Sequence, residues 1–304
     1  MNLVRAAHGS WIIALALTLT GCTSPPSQQT PNPSRIAAMN PKQDQLIKQL
    51  GLDTLPPSSA QRGVSLPWTN DFVASLLQTG GVHGAGLVSD TVIPKSPGEA
   101  VHRWTWSTAT SPAARVQVDV YVSSAGPDLA RQRLVAVTTD NMMMTSPYVR
   151  GPADLGEVSA TFPGPPQSGH VVWVFHNICV SLEKDDDPVT DLLAVAHAVQ
   201  GALAQHVVEP LEPLVPRVTR VELSATEVRV KEPLTVRIRM QGADPPPKLL
   251  VALYDRPSDV RLLDASLNLQ VSADNPGNKA LTILIVDAST LLSTTTQATM
   301  IVKR

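Results

Sequence analysis

The sequence predicts two folded parts in series: an α+β domain with helices on an antiparallel sheet over residues 43–208, called the first part, and an all-β sandwich over residues 217–304, called the second part. Three observations lead to this prediction. Strand-like and helix-like periods alternate through the first part. A period of two persists from Arg217 onward. Between the two parts lies a proline-punctuated stretch, residues 209–216, which is predicted to be a linker.

The first part opens with helix signals. Apolar residues recur at helical spacing over residues 43–55. A second short helix is predicted from Asn70 or Asp71 to the Gly80–Gly81 break. The glycine-rich residues 80–86 have neither phosphate-loop spacing, so we interpret them as a loop rather than a nucleotide site.

Strand signals begin at Val101 and alternate with further helices. In the run from Val116 to Val122, valines alternate with polar residues, which is typical of a half-buried strand. The remaining predicted elements are a helix from Pro127 to about Asn141, a strand at 158–162, two strands within 170–183 joined at His176–Asn177, and a helix at 188–206 with Asp187 as N-cap and Pro188 at its first position. Asn177 is expected to supply the left-handed conformation that a tight hairpin needs.

The second part shows strand periodicity throughout. Apolar residues alternate with polar ones from Leu234 to Gln241, and further runs follow at 249–254, 267–271, 280–286 and 296–302. Turn residues such as Asn275-Pro276-Gly277 lie between the runs. About seven short strands in this length fit a β-sandwich. The pattern resembles the immunoglobulin-like (Ig-like) modules of bacterial surface proteins, without the Trp or the Cys pair that marks antibody domains.

The start of the chain carries the pattern of an export signal. One basic residue, Arg5, precedes an apolar run at 11–19 that is too short to span a membrane. The run leads into Leu19-Thr20-Gly21-Cys22. This tetrapeptide resembles the lipobox of the bacterial prolipoprotein family, and the resemblance covers the residues up to Cys22. It implies that residues 1–21 are a signal peptide cleaved after Gly21, and that Cys22 carries lipid as the first mature residue.

The residues after the lipobox predict where the chain is held. Lipid on Cys22 would anchor the chain to a membrane. Position 23 is Thr; in the prolipoprotein family an Asp there retains the protein at the inner membrane, so the resemblance implies the outer membrane of a cell envelope. Residues 22–42 are rich in Pro, Ser, Gln, Thr and Asn and are predicted to be a flexible tether. In the alternative interpretation the signal is cleaved conventionally and Cys22 is incidental.

Composition fits a folded, exported chain. Hydrophobic residues make up 43% of the sequence and charged residues 16%, which is enough apolar material for a core. The two cysteines are Cys22 and Cys179, so no internal disulfide is predicted, and Cys179 is interpreted as a small buried hydrophobe. The second part holds 12 basic and 9 acidic residues, and residues 22–216 hold 11 and 17. Neither balance is basic enough to indicate a nucleic-acid partner.

Two sets of residues are candidates for a binding surface. His102, Trp104 and Trp106 alternate along one strand and share a face, where exposed indoles would form a platform for sugar rings; burial in the core is the favoured alternative. The second set is an outward row of basic residues on what the periodicity predicts to be neighbouring strands: Arg229, Lys231, Arg237 and Arg239. Such a row would meet lipid phosphate, acidic glycan or the acidic first part, and a solvated sheet face is the alternative.

The sequence offers no recognised catalytic motif. It contains neither a Gly-x-Ser-x-Gly elbow nor a His-Glu-x-x-His helix, and its histidines lack paired ligand spacing, so neither a metal nor a cofactor is predicted. The run Met142–Met144 is interpreted as core filling rather than a soft-metal patch, and the acidic run Asp185–Asp187 as helix capping rather than a calcium site.

These observations predict a membrane-anchored envelope protein with a non-catalytic binding or assembly role, docking to a protein or glycan partner. Two alternatives stay open at this point. One is a cell-wall-directed hydrolase built on the first part, with a cleft lined by His102, Asp119 or His170. The other is a small-ligand carrier with an apolar pocket between the helix at 188–206 and the sheet.

Overall fold

The computed structural model describes residues 47–54, 62–109, 111–140, 148–162, 164–241 and 248–304. These residues are rich in β-strand, with few helices and several antiparallel sheets, and they belong to one compact unit. The lipobox-like residues 19–22, the predicted signal peptide, the predicted tether and Met142–Met144 lie outside the described residues. Within the described ranges, no helix has the length and apolar character needed to cross a bilayer.

Helices and strands follow one another along the described residues, beginning with a helical turn at 47–50. The helices are α1 (Asn70–Thr79), α2 (Pro127–Asp140) and α3 (Leu192–Gln205), with short 3-10 helices at Leu52–Thr54 and Glu212–Leu214. The strands of the first part are β1 (Gly63–Val64), β2 (Gly86–Ser96), β3 (Glu99–Ser107), β4 (Arg115–Ser123), β5 (Val149–Arg150), β6 (Val158–Phe162), β7 (Gly169–Phe175), β8 (Ile178–Asp185) and β9 (Val207–Val208). Those of the second part are β10 (Val218–Leu223), β11 (Glu227–Arg229), β12 (Leu234–Met240), β13 (Leu249–Asp255), β14 (Val260–Asp264), β15 (Asn268–Ala273), β16 (Gly277–Asp287) and β17 (Ser293–Lys303).

A seven-stranded antiparallel sheet forms the centre of the first part, with strand order β2-β3-β4-β8-β7-β6-β5. Because side chains alternate along each strand, the sheet has two buried faces. On one face Val118 and Val180 share a core with Val73 of α1 and Val195 of α3. On the other face Tyr121 and Cys179 share a second core with Leu134 of α2.

Two four-stranded sheets form the second part, with orders β10-β12-β15-β14 and β11-β17-β16-β13. Val236 and Leu269 from the first of these sheets share a core with Ile283 and Met300 from the second. The chain passes from one sheet to the other between β10 and β11, since β10 pairs with β12 and β11 pairs in parallel with β17. The sequence run Leu234–Met240 coincides with β12, as the period of two predicts.

The two parts are joined by shared packing. Leu292, which precedes β17, belongs to the same buried cluster as Trp68 of the first part. The Trp68 N–H donates to the Ser289 carbonyl at 2.7 Å, and the Ser293 N–H donates to the Ser124 hydroxyl at 2.6 Å. Residues before and after the linker predicted at 209–216 are therefore in direct contact.

Several predicted elements of the first part are confirmed. Helix α1 begins at Asn70, because the Thr69 hydroxyl accepts from the Phe72 N–H and so caps the helix. Strand β4 covers the valine alternation, although both of its faces are buried and it is not the half-buried strand expected, and Pro127 opens α2. Strand signals were expected to begin at Val101, but β1 lies at Gly63–Val64 and β2 starts at Gly86.

Two further local predictions were wrong. Helix α3 starts at Leu192 with Asp191 as its N-cap, whereas Asp187 accepts from the N–H groups of Val189 and Thr190 in a separate turn. In the β7–β8 hairpin, His176 rather than Asn177 adopts the left-handed conformation, with φ of 52°. The Asn177 side chain instead accepts from the Val64 N–H at 2.7 Å, which ties β1 to the hairpin.

Candidate functional site

The aromatic residues proposed as a sugar platform are enclosed. Trp104, Trp106 and His102 are 0%, 5% and 5% exposed. The Trp104 indole N–H donates to the Asn70 side chain at 2.8 Å, and the His102 ring stacks on Trp104 with centroids 3.5 Å apart. Burial lowers the pKa of His102, against the opposing effect of its hydrogen bond to Asp90. These rings therefore offer no open face to a sugar, and they are core residues, which is the alternative that the sequence favours.

The predicted row of basic residues is divided between two sheets. Arg229 ends β11 and Lys231 lies in the turn after it, whereas Arg237 and Arg239 lie on β12 of the other sheet. The expectation that they occupy neighbouring strands was wrong, because the chain changes sheets before β11 and returns at β12. The spacing of residues in the sequence does not show that the chain passes from one sheet to the other.

Arg237 and Arg239 remain together on an outward sheet face. Both are exposed, and they line a depression of about 500 Å³ with Asn268 and Gln270 of the neighbouring β15. Arg239 lies 3.9 Å from the Glu222 carboxylate, which also pairs with Arg220 at 3.1 Å. This pair could contact an anionic partner, although one nearby carboxylate already offsets part of its charge.

A polar network lies on the sheet face that α2 covers. The Arg103 guanidinium donates twice to the buried Asp119 carboxylate, at 2.9 and 2.6 Å, and the Tyr121 hydroxyl donates to the same group at 3.3 Å. Arg133 of α2 donates to the buried Glu99 at 2.8 Å and lies over the Tyr121 ring. The buried carboxylates thus have close partners, which is what makes their burial tolerable.

Ser181 and His170 form a hydrogen-bonded pair within reach of this network. The Ser181 hydroxyl lies 2.6 Å from His170 Nε2, and the Tyr148 hydroxyl is hydrogen-bonded to Nδ1 of the same ring. Burial lowers the pKa of His170 to about 4, opposed more weakly by the Asp119 carboxylate, so the ring is neutral near pH 7. A serine beside a neutral imidazole is the starting arrangement of a nucleophile and its base.

Access decides what this pair can do. Ser181 and His170 are each 6% exposed, so a substrate carbonyl cannot reach the hydroxyl unless the covering residues move. His170 is among the residues predicted to line a hydrolytic cleft, whereas Ser181 could not be predicted because its strand neighbours form no motif. Among the described residues, no group of three or more His, Cys, Asp or Glu side chains is arranged to hold a metal ion.

A larger opening lies where the two parts meet, and we call it the junction cleft. Its volume is about 870 Å³. It is lined by residues from four stretches of chain: Ser124–Ala125, Leu211–Glu212, Val215–Val221 and Thr294–Thr296. Sequence reasoning missed this cleft because its walls are distant in the chain, although the run Thr294-Thr295-Thr296 was a visible signal.

The junction cleft combines hydroxyl, aliphatic and compensated charged groups. Hydroxyls come from three successive threonines at the start of β17, and aliphatic surface comes from Val218 and Val221. Arg217 pairs with Glu212 at 3.1 Å, as does Arg220 with Glu222, so the guanidinium groups at its rim are partly neutralised. Such a surface suits an extended ligand of mixed polarity rather than a strongly charged one.

A smaller pocket lies at the beginning of α3. It has a volume of about 310 Å³ and is lined mainly by the end of β6, the following loop, the start of β7 including His170, and residues 190–193. The body of α3 packs on the sheet through Val195, Val199 and Leu203, which are buried. The pocket expected between this helix and the sheet is therefore absent from the described residues, and the smaller pocket at the start of the helix has a volume at the low end of the usual range of ligand sites.

Comparison with known proteins adds little. No family model matches the chain, and neither does any curated protein. Among solved structures, a polysaccharide lyase aligns over 73% of this chain with 9% identity and a TM-score of 0.19. The chain spans about a third of that protein, since the alignment covers 34% of it. A likeness at this TM-score carries no argument about fold or activity.

Proposed function

We propose that this chain is a lipid-anchored protein of the cell envelope with a non-catalytic binding role, and that its partner docks at the junction cleft. The observation that carries the proposal is the contrast between two sites. The cleft is open and has a volume of about 870 Å³, whereas the Ser181–His170 pair is closed off, with both side chains 6% exposed. Clefts where two parts of a protein meet are common ligand sites.

The proposed location rests on the lipobox. Cleavage after Gly21 would leave Cys22 as a lipidated first residue, and Thr at position 23 favours the outer membrane. Residues 22–42 would then act as a tether between the lipid and the folded residues. A tether of this composition lets the junction cleft reach a partner away from the bilayer.

The proposed architecture is an α+β domain at 43–208, a linker at 209–216 and an Ig-like sandwich at 217–304. The strand orders support the second assignment. The order β10-β12-β15-β14 corresponds to ABED of a constant-type Ig domain, and β13-β16-β17 corresponds to CFG, with β11 added beside the last strand. Because one fold serves many functions, the binding role is argued from the cleft and not from this likeness.

Crosslinking in intact cells tests the binding role. A photoreactive phenylalanine analogue replaces Thr295 at the cleft, Arg237 on the outward sheet face, or Gln132 on α2 as a control position, all in the full-length chain. We expect a crosslinked envelope partner from position 295 and none from position 132. Lack of any partner at all three positions in correctly anchored protein would contradict the proposal. Hydrolysis of cell-wall material that disappears in Ser181→Ala would favour the hydrolase instead.

A further inference from the structure

Strand β17 has an edge that is only partly paired. Along one side it pairs with β16 from Ser293 to Val302. Along the other side it pairs with β11, in parallel, at Ile301–Lys303. Strand β11 has three residues, so it leaves the earlier part of β17 without a neighbour in its sheet.

The direction of the backbone groups on this edge follows from three hydrogen bonds. The Asp287 N–H donates to the Leu292 carbonyl, so the backbone groups of Leu292 face β16. The Ser293 N–H points away from β16 to the Ser124 hydroxyl, and the Ile301 N–H points away from it to the Thr226 carbonyl. Backbone N–H and C=O groups of successive strand residues point to opposite sides of the strand. The groups of the odd-numbered residues between Ser293 and Ile301 therefore also point away from β16.

Thr295, Gln297 and Thr299 therefore present their N–H and C=O groups to the outside of the sheet. Within the part of the chain that the structure describes, no backbone hydrogen bond outside the strand ladders reaches the N–H of any of these residues. All three are exposed, so water satisfies the groups in the free protein. We call residues 295–299 the open edge.

The junction cleft lies beside the open edge. Thr294–Thr296 form one wall of the cleft, and Val218–Val221 of β10 form another. Strand β10 is the outer strand of its own sheet and packs near β17 without forming a ladder with it, so the cleft lies between Thr294–Thr296 and the neighbouring part of β10. The hydrogen-bonding edge and the cleft are thus continuous.

We propose that the open edge takes up an extended segment of a partner polypeptide as an added β-strand. The proposal rests on the binding role argued above and names the class of partner. Backbone donors and acceptors at strand spacing are matched by another strand, and a glycan has no such row of groups. At about 3.3 Å per residue, the edge pairs with about five residues of the partner.

The chemistry of the cleft specifies the segment further. Alternate side chains of the added strand would face Val218 and Val221, which favours aliphatic or β-branched residues at those positions. The nearby Arg217 and Arg220 are already paired with carboxylates, so the segment is uncharged. It has no proline where it must donate to the edge.

A proline substitution isolates the backbone contribution. Gln297→Pro removes the central outward N–H and leaves the ladder to β16, because that N–H does not point to β16. Gln297→Val also removes the glutamine side chain but keeps the N–H, so it is the matched control. The probe is a short capped peptide of alternating Thr and Val, and the same peptide N-methylated at alternate residues lacks the donors.

Residue-resolved hydrogen exchange on the full-length lipidated protein in detergent reports where the peptide binds. We expect the amides of Thr295, Gln297 and Thr299 to exchange more slowly with the plain peptide and unchanged with the N-methylated one. Gln297→Pro should weaken binding about tenfold, and Gln297→Val about twofold or less. Thermal unfolding checks that both variants fold.

Three results would overturn the inference. One is unchanged exchange at the open edge in excess peptide; another is equal affinity of the proline and valine variants. The third is protection that rises with protein concentration in the absence of peptide, since a second copy would then occupy the edge. If crosslinking captures a partner at Arg237 while the edge stays unprotected, the binding role stands and this site does not.

Discussion

At the scale of single residues, the buried polar groups under α2 are matched to one another. Asp119 is held by Arg103 and Tyr121, and His170 by Ser181 and Tyr148. Each buried polar group that has its partner costs little, whereas removing one member leaves the others unsatisfied. We therefore assign this network a structural role.

Replacing Asp119 should destabilise the fold. Asp119→Ala leaves the half-exposed Arg103 guanidinium and the buried Tyr121 hydroxyl without their acceptor, and we expect the free energy of unfolding to fall by about 2 kcal/mol. Asp128→Ala is the matched control, because Asp128 is an exposed acid that pairs with Arg131 at 3.6 Å, and it should cost less than about 1 kcal/mol. Urea unfolding measures both. Equal losses in the two variants would contradict the structural role.

His170 should make stability depend on pH. Its pKa is lowered from 6.5 to about 4 by burial, so as the pH falls below 6.5 the unfolded chain takes up a proton that the folded one excludes. The free energy of unfolding is therefore unaffected at pH values above the pKa of His170 in the unfolded chain. It falls by up to about 3 kcal/mol between pH 6.5 and 4. Urea unfolding at several pH values should show this loss in the wild type and a smaller one in His170→Gln. His206→Gln, which replaces an exposed ring, should keep the wild-type dependence; if His170→Gln keeps it as well, the assignment is wrong.

At the scale of elements, α1 and α3 approach each other at a glycine. A Cβ atom on Gly80, at the end of α1, would lie 2.5 Å from the Val195 Cα of α3. The two helices can cover the same face of the sheet side by side because this position has no side chain. A Cβ atom on Gly201, within α3, would meet no other atom within 4 Å, and the residue is exposed. No close contact therefore requires glycine at this position.

Alanine at these two positions should have opposite effects. Gly80→Ala forces α1 away from α3 and should cost about 2–3 kcal/mol of unfolding free energy. Gly201→Ala should raise it by about 0.5–1 kcal/mol, because alanine favours the helix and no neighbour is displaced. Thermal and urea unfolding of the pair measure the difference. A gain in stability for Gly80→Ala would contradict the close helix contact.

Elements could be predicted where burial imposes a period. The apolar residues of β4 and β12 alternate with polar ones, and the sequence displays that directly. In β12 the polar side is the more exposed one, whereas in β4 both sides are buried, because α2 covers the side that carries Asp119 and Tyr121. Strand β2 was missed because it is an outer strand with mostly exposed residues, so it lacks alternation, and Pro94 is tolerated there. The start of α3 was misplaced because Asp187 and Asp191 both have the chemistry of a cap, and only the backbone decides between them.

At the scale of the whole molecule, the junction cleft belongs to both parts. Its walls come from the loop after β4, from the predicted linker and from two strands of different sheets. None of these contacts follows from local periodicity, because they depend on how the chain crosses between sheets. For the same reason the open edge could not be predicted: it arises because β11 is three residues long and pairs with the end of β17.

The location of the molecule is the premise of the binding role, and mass spectrometry of the mature amino terminus tests it most directly. Trypsin should release residues 22–35 as the first peptide, and we expect its Cys22 to carry a thioether-linked diacylglyceryl group. Cys22→Ser provides the control and should move the protein from the membrane to the soluble fraction. An unmodified Cys22 in a freely soluble wild-type protein would contradict the account.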